Sequence, residues 1–110
     1  MSTPNLRQLR FLVALADTLH FGRAAEACHV TQSTLSAGLK ELEQTLGVAL
    51  AERTKRSVAL TPVGEEISAR ARRLLADAQD LADVAARHAG ALRGDLRLGA
   101  IPTVGPFLIP

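Results

Sequence analysis

At 110 residues the chain can bury one modest globular core with an extension, and is too short for two full domains. Apolar residues make up 47%, but Phe11, Phe21 and Phe107 are the only aromatics, so the core must be built from Leu, Ala and Val, the composition of a small helical domain. Net charge is only +2, Cys28 is the sole cysteine, and no signal pattern or apolar run near ~20 residues occurs, so a disulfide framework and a membrane span are excluded and a soluble, cytoplasmic protein is expected.

The first periodic segment opens at Pro4 or Asn5. Leu6, Leu9, Val13 and Ala16 fall at helical spacing, and Leu12, Leu15 and Leu19 widen the stripe, which predicts one amphipathic helix ending near residues 19–20. A short helix from Gly22 to about Cys28 follows, with Ala24 and Ala25 small enough for a close crossing. The segment His29-Val30-Thr31 breaks the pattern, and Thr31 is suited to cap a third helix. Leu35, Leu39, Leu42 and Leu46 form that helix's buried stripe, and Gly47 stands where a left-handed C-terminal cap is wanted.

Residues 50–53 and 58–60 are compatible with β-structure and are joined by the polar Thr54-Lys55-Arg56-Ser57, which predicts a small hairpin. Thr61-Pro62 then caps and starts the longest helix, with Glu65 and Glu66 at the positive end of its dipole. With no breaker before Gly90, that helix is expected to run some 28 residues, or ~40 Å. Gly90 and Gly94 bracket a flexible joint, and residues 95–101 resemble a strand with no partner in the chain. The last stretch therefore reads as the opening of a missing domain. The expected organisation is a winged helix-turn-helix over 1–61, a linker and dimerisation helix over 62–90, and a hinge with the first strand of the missing domain over 91–110.

A short helix, a three-residue turn and a longer helix match the helix-turn-helix arrangement, in which the second helix enters the DNA major groove. At 3.6 residues per turn, Ser33, Ser36, Ala37, Lys40 and Gln44 lie opposite the leucines, with Gln32 and Thr34 flanking at the tip. Short side chains let the backbone approach the groove floor, the Gln32 amide can pair with adenine, and Lys40 can reach a phosphate or guanine. A polar helix face is by itself often only solvated. The upstream turn and the downstream Arg53, Lys55 and Arg56, where a wing would meet the DNA backbone, favour double-stranded DNA contact. Residues 1–61 carry seven Lys and Arg against five Asp and Glu, a slight excess on this half.

In the long helix, Ile67, Ala71, Leu74, Ala78, Leu81, Ala85 and His88 alternate steps of four and three, the seam of a coiled coil. Packing on the chain's own helices is the alternative, but a helix this long overhangs the domain, so a homodimer is favoured. Cys28 beside His29 suggests a thiol or metal site only weakly. No second cysteine exists, and Cys28 falls where a small apolar residue is wanted. No phosphate-binding glycine loop, paired-carboxylate motif or triad occurs, so neither an enzyme nor a cofactor or metal is expected. A winged-helix protein-interaction module is the competing reading.

The stretch FGRAAEACHVTQSTLSAGLKELEQTLG, residues 21–47, resembles the helix-turn-helix of LysR-type transcriptional regulators, and LAERTKRSVALTPVGE resembles that family's wing and the start of its linker helix. Within the family, AEACHVTQSTLS and the tail LRLGAIPTVGPFLIP are most similar to the hydrogen-peroxide-responsive OxyR subgroup. The resemblance implies a longer parent with a two-lobed sensor domain, tetramers on palindromic promoter sites, antiparallel paired linker helices, and RNA polymerase as a further candidate partner. It places base contacts on Thr31, Gln32, Ser33, Thr34, Ser36 and Lys40 and wing contacts on Arg53, Lys55 and Arg56, and it matches Thr103 to an effector-pocket threonine. A small-molecule effector in place of peroxide is the alternative within the family. Ser33 stands where the motif usually has Pro, and Gly38 where a longer side chain is common. A mid-helix glycine costs about 1 kcal/mol relative to Ala.

Overall fold

Local capping chemistry fixes where each helix begins. In the computed structural model, which describes residues 3–97 and their side chains through residue 90, Asn5 and Gln8 form a reciprocal capping box at the start of α1 (Leu6–Thr18). The Asn5 side chain accepts from the Gln8 amide at 2.8 Å, and the Gln8 side chain accepts from the Asn5 amide at 3.0 Å. Leu19 ends the helix in the left-handed region (φ 50°). It therefore leaves the apolar stripe and is exposed, contrary to the sequence reading.

His20 caps α2 (Phe21–Ala27), its Nδ1 accepting from the Arg23 amide at 3.0 Å. The turn that follows is held by the Val30 amide donating to the Ala25 carbonyl at 3.0 Å, with His29 at φ 59°. A β-carbon in that conformation costs roughly 1–2 kcal/mol, so surrounding packing must hold the turn. Val30 supplies part of it by resting against the core. Thr31 caps α3 (Gln32–Leu46), and Gly47 closes it at φ 73°.

The core is one mainly aliphatic cluster. Leu9, Phe11, Leu12 and Leu15 of α1 meet Ala24 and Ala25 of α2 and Leu35, Leu39 and Leu42 of α3. Two alanines on α2 allow the short helix to cross closely, as the sequence predicts. Gly38 has a definite packing reason: a β-carbon there would lie 2.5 and 2.6 Å from Phe11 Cδ2 and Cε2. The buried Phe11 ring thus occupies the space a side chain would need.

β1 (Ala51–Arg53) and β2 (Val58–Leu60) pair antiparallel, with Ala51 opposite Leu60 and Arg53 opposite Val58. Glu43, near the end of α3, tethers the hairpin: its Oε2 accepts from the Leu50 amide at 2.7 Å and the Ala51 amide at 3.3 Å. On the other side, the Thr61 amide donates to the Leu50 carbonyl at 3.0 Å, and Gly64 allows α4 to pass close to that carbonyl.

α4 runs Pro62–Arg97. It passes Gly90 and Gly94, between which the sequence expects a joint, and residues 95–97 are helical where a strand is expected. Each glycine costs a helix only about 1 kcal/mol, and helix-favouring Ala, Leu and Arg separate the two. The rest of that expected strand, and Thr103, lie outside the described residues. The chain divides into two compact units between Leu75 and Ala76, so residues 62–75 belong with the helix-turn-helix. Ile67 and Leu75 pack against its core, and Ala71 is 1% exposed within it. The seam reading is therefore corrected at Ala71, which is covered by the chain's own core. Spacing of three and four residues serves an intramolecular contact as well as a dimer.

Gly38→Ala is expected to lower stability by about 1–2 kcal/mol, overpacking against Phe11 outweighing the gain in helix propensity. Urea unfolding checks it: in a Phe11→Leu background, where the ring is gone, the same substitution should become neutral or stabilising.

Candidate nucleic-acid interface

The exposed end of α3 is built by a small hydroxyl network. Thr31 Oγ1 accepts from the Thr34 amide at 3.2 Å and donates to Thr34 Oγ1 at 2.9 Å, and its hydroxyl lies 3.2 Å from that of Ser33. These contacts satisfy one free amide of the first turn and order the helix tip. Thr31, Gln32, Ser33, Ala37, Lys40 and Gln44 are exposed. Thr34 and Ser36 are half-buried, Thr34 being committed to the cap. The predicted face is thus open along Gln32, Ser33 and Lys40 and narrower at its flank than the sequence implies.

The wing is a tight turn held by Thr54. Its amide donates to the Ser57 carbonyl at 2.8 Å, and its Oγ1 accepts from the Ser57 amide at 3.0 Å and the Arg56 amide at 3.3 Å. Arg53, Lys55 and Arg56 are all exposed, and among the described residues none of them, nor Lys40, forms a salt bridge. With no carboxylate bridged to them among the described residues, these cations are available to an external anion.

A cleft of about 370 Å³ joins these two elements. His20, Phe21 and Gly22 form one wall, residues 53–58 the other, and Gln32 also lines it. Arg53 lies over the Phe21 ring, its guanidinium carbon 4.0 Å from the centroid. Sequence reasoning missed His20 and Phe21. The available signal was slight, a polar residue just before the second helix, and the Phe21–Arg53 contact spans residues far apart in sequence.

Elsewhere on this unit, Arg72 of α4 forms an ion pair with Asp17 of α1. Both are about half exposed, so the pair adds little stability. Leu74 on α4 is 52% exposed. In the second unit, Leu81 is 74% and Val84 44% exposed, Ala85 is exposed and Ala78 is half-buried. Val84 adds to the apolar surface and was not in the predicted seam.

Cys28 is half-buried, packed against the core, with its Sγ 3.8 Å from the Arg10 carbonyl oxygen. Burial pushes its thiol above the ordinary range, and the charge of Arg10 only partly opposes this. His29 is exposed on the neighbouring turn, and no cluster of three or more His, Cys, Asp or Glu suited to a metal occurs among the described residues. No helix among them is long and apolar enough to cross a membrane.

The profile of the LysR family of bacterial regulatory helix-turn-helix proteins matches residues 6–65, which run from the start of α1 into α4. The chain belongs to that family. It is 56% identical over 106 residues to the HTH-type transcriptional regulator EstR of Acinetobacter baylyi, and 47% identical over 106 residues to the hydrogen peroxide-inducible genes activator of Dickeya chrysanthemi. Each match covers 96% of this chain and 35% of the relative, so the chain spans about a third of the length of the curated relatives it matches. Among solved structures it resembles a full-length OxyR variant from Pseudomonas aeruginosa, with a TM-score of 0.73 and 53% identity over 76% of this chain and 28% of that one. It also resembles the BenM DNA-binding domain in complex with benA site 1 DNA, with a TM-score of 0.72 and 34% identity over 77% of this chain and 96% of that one.

With its thiol pushed up, Cys28 carries less thiolate than free cysteine at neutral pH. Its iodoacetamide alkylation in the folded protein at pH 8 should be slower than that of free cysteine and should rise to the free rate in urea. Because the folded value is the higher one, the stability tied to this group is present at low pH and is lost as pH rises through the raised value. Rapid alkylation of folded protein would count against a packing role.

Proposed function

We propose that the chain is the sequence-specific, double-stranded DNA-binding part of a LysR-type transcription regulator. The observation that carries this reading is the joint exposure of Gln32, Ser33 and Lys40 on a capped, core-anchored helix beside an unpaired basic turn. α3 enters the major groove, where Gln32 and Ser33 meet base edges and Lys40 a guanine or phosphate. Thr31, Thr34 and Ser36 support the tip from its flank. Arg53, Lys55 and Arg56 engage the sugar-phosphate backbone or minor groove, supplying affinity without sequence preference. The likeness to a BenM DNA-binding domain solved with DNA supports the docking mode.

The reading gives the chain no catalytic chemistry and places it in the cytoplasm, where the DNA is. Two copies pair through α4, Ile67 and Leu74 contributing in the first unit and Ala78, Leu81 and Ala85 in the second. A dimer fits a palindromic promoter site, since two-fold protein symmetry matches two half-sites. In the longer parent, residues beyond α4 lead into the sensor domain, tetramers form, and RNA polymerase is the partner at the promoter. Likeness to several hydrogen peroxide-inducible activators favours a peroxide-responsive parent. The higher identity, 56%, is to EstR, a relative not named for peroxide, which keeps a second reading open: a regulator answering another small molecule. Reporter induction by the full-length parent decides between them: peroxide should change transcription, and an unchanged reporter would favour the second.

Gln32→Ala should weaken binding to the cognate palindrome by about 1–3 kcal/mol while leaving binding to unrelated duplex unchanged. Arg56→Ala should weaken binding to both and reduce the log-log salt slope by about 0.9. Mobility shifts at several salt concentrations measure both, and equal losses on all sequences for Gln32→Ala would count against base readout. Leu81→Glu should shift the sedimentation profile from dimer to monomer; an unchanged profile would remove α4 from the interface.

A further inference from the structure

We infer that Phe21 is a positioning residue for the wing, holding Arg53 in the orientation in which it meets DNA. The inference rests on the DNA-binding reading above and names a device within it. Of the three wing cations, Arg53 differs from the others in being stacked on an aromatic ring, 4.0 Å from the Phe21 centroid. Phe21 is itself fixed, as the first residue of α2 and partly buried against the core. Arg53 ends β1, directly before the Thr54 turn. The stack therefore ties the wing to the helix that supports α3, across a cleft that Gln32 also lines.

An unheld arginine loses rotamer freedom when it docks on a phosphate, and that loss subtracts from affinity. Arg53 has lost much of this freedom already, because a guanidinium over a ring face is attracted by the ring's negative quadrupole. Guanidinium suits this role since it stacks through its plane while its N–H edge remains free for an anion. Arg53 thus keeps its phosphate-seeking edge while its direction is set by Phe21. Removing the ring leaves the cation in place. The number of ionic contacts to DNA, and with it the salt slope, should then be conserved while affinity falls.

Two measurements on the 110-residue chain test this, one without DNA. In the free protein, ring current from Phe21 should shift the Arg53 side-chain proton resonances upfield; Phe21→Leu should return them to ordinary positions and Phe21→Tyr should retain them. In DNA titrations, Phe21→Leu should lower affinity about two- to fivefold, the size expected of an exposed cation–π contact, with the salt slope unchanged. Arg53→Gln should lower both affinity and slope. The double variant should bind no more weakly than Arg53→Gln, and Phe21→Tyr should bind like the parent. Comparison of Phe21→Leu with Phe21→Tyr by thermal unfolding separates core loosening from loss of the stack. Ordinary Arg53 resonances in the parent, or additive losses in the double variant, would overturn the inference while leaving DNA binding intact. Failure of the parent chain to bind any duplex would overturn the DNA-binding reading and this inference with it.

Discussion

The contact between the leucine stripe of α3 and the core beneath it decides how everything else is presented. Leu35, Leu39 and Leu42 are buried in the cluster formed with α1 and α2, and the Phe11 ring lies against the α3 backbone at Gly38. Burying three leucines stabilises the domain by several kcal/mol, at roughly 1.5–3 kcal/mol per fully buried side chain. The directional consequence matters as much. With one face of α3 pinned at three successive positions, the opposite face can point in only one direction, and the capped first turn projects from a rigid base. A recognition helix free to roll would present no fixed order of donors and acceptors to a groove.

The wing is tied to the same base by independent contacts of different kinds. Glu43 holds the approach to β1 through two backbone amides, Thr61 and Gly64 bring α4 against Leu50, and Phe21 meets Arg53 at the turn. None of these is strong alone. Together they give a hairpin of only three residues per strand a defined position, which two short strands do not secure by themselves. The positions of the wing cations relative to Gln32 therefore follow from the packing of the helices.

Much of this was legible in the sequence because the signals are local. The Thr31 cap, the Gly47 cap, the leucine spacing in α3 and the Thr61-Pro62 start of α4 each depend on neighbours within one or two turns. Errors arose where local rules are weak or degenerate. Leu19 fits the stripe by number, yet the helix has already ended there in a left-handed residue. Ala71 fits a coiled-coil seam and an intramolecular contact equally well, and only the placement of α4 against α1–α3 distinguishes them. Gly90 is a weak breaker among strong helix formers. The stacking of Phe21 on Arg53 and the clash that explains Gly38 need three-dimensional proximity between residues more than twenty positions apart, which periodicity does not encode.

The proposed DNA contact through the α3 surface draws on both family membership and surface chemistry, and an amide-resolved NMR titration tests it most directly. A duplex selected from a random pool by the chain itself would be added at about 150 mM salt, where screening suppresses loose electrostatic association. The largest shift changes should fall on residues 31–40 and 53–57, with saturation at one duplex half-site per chain. Changes confined to α4, with residues 31–40 unmoved, would contradict the account.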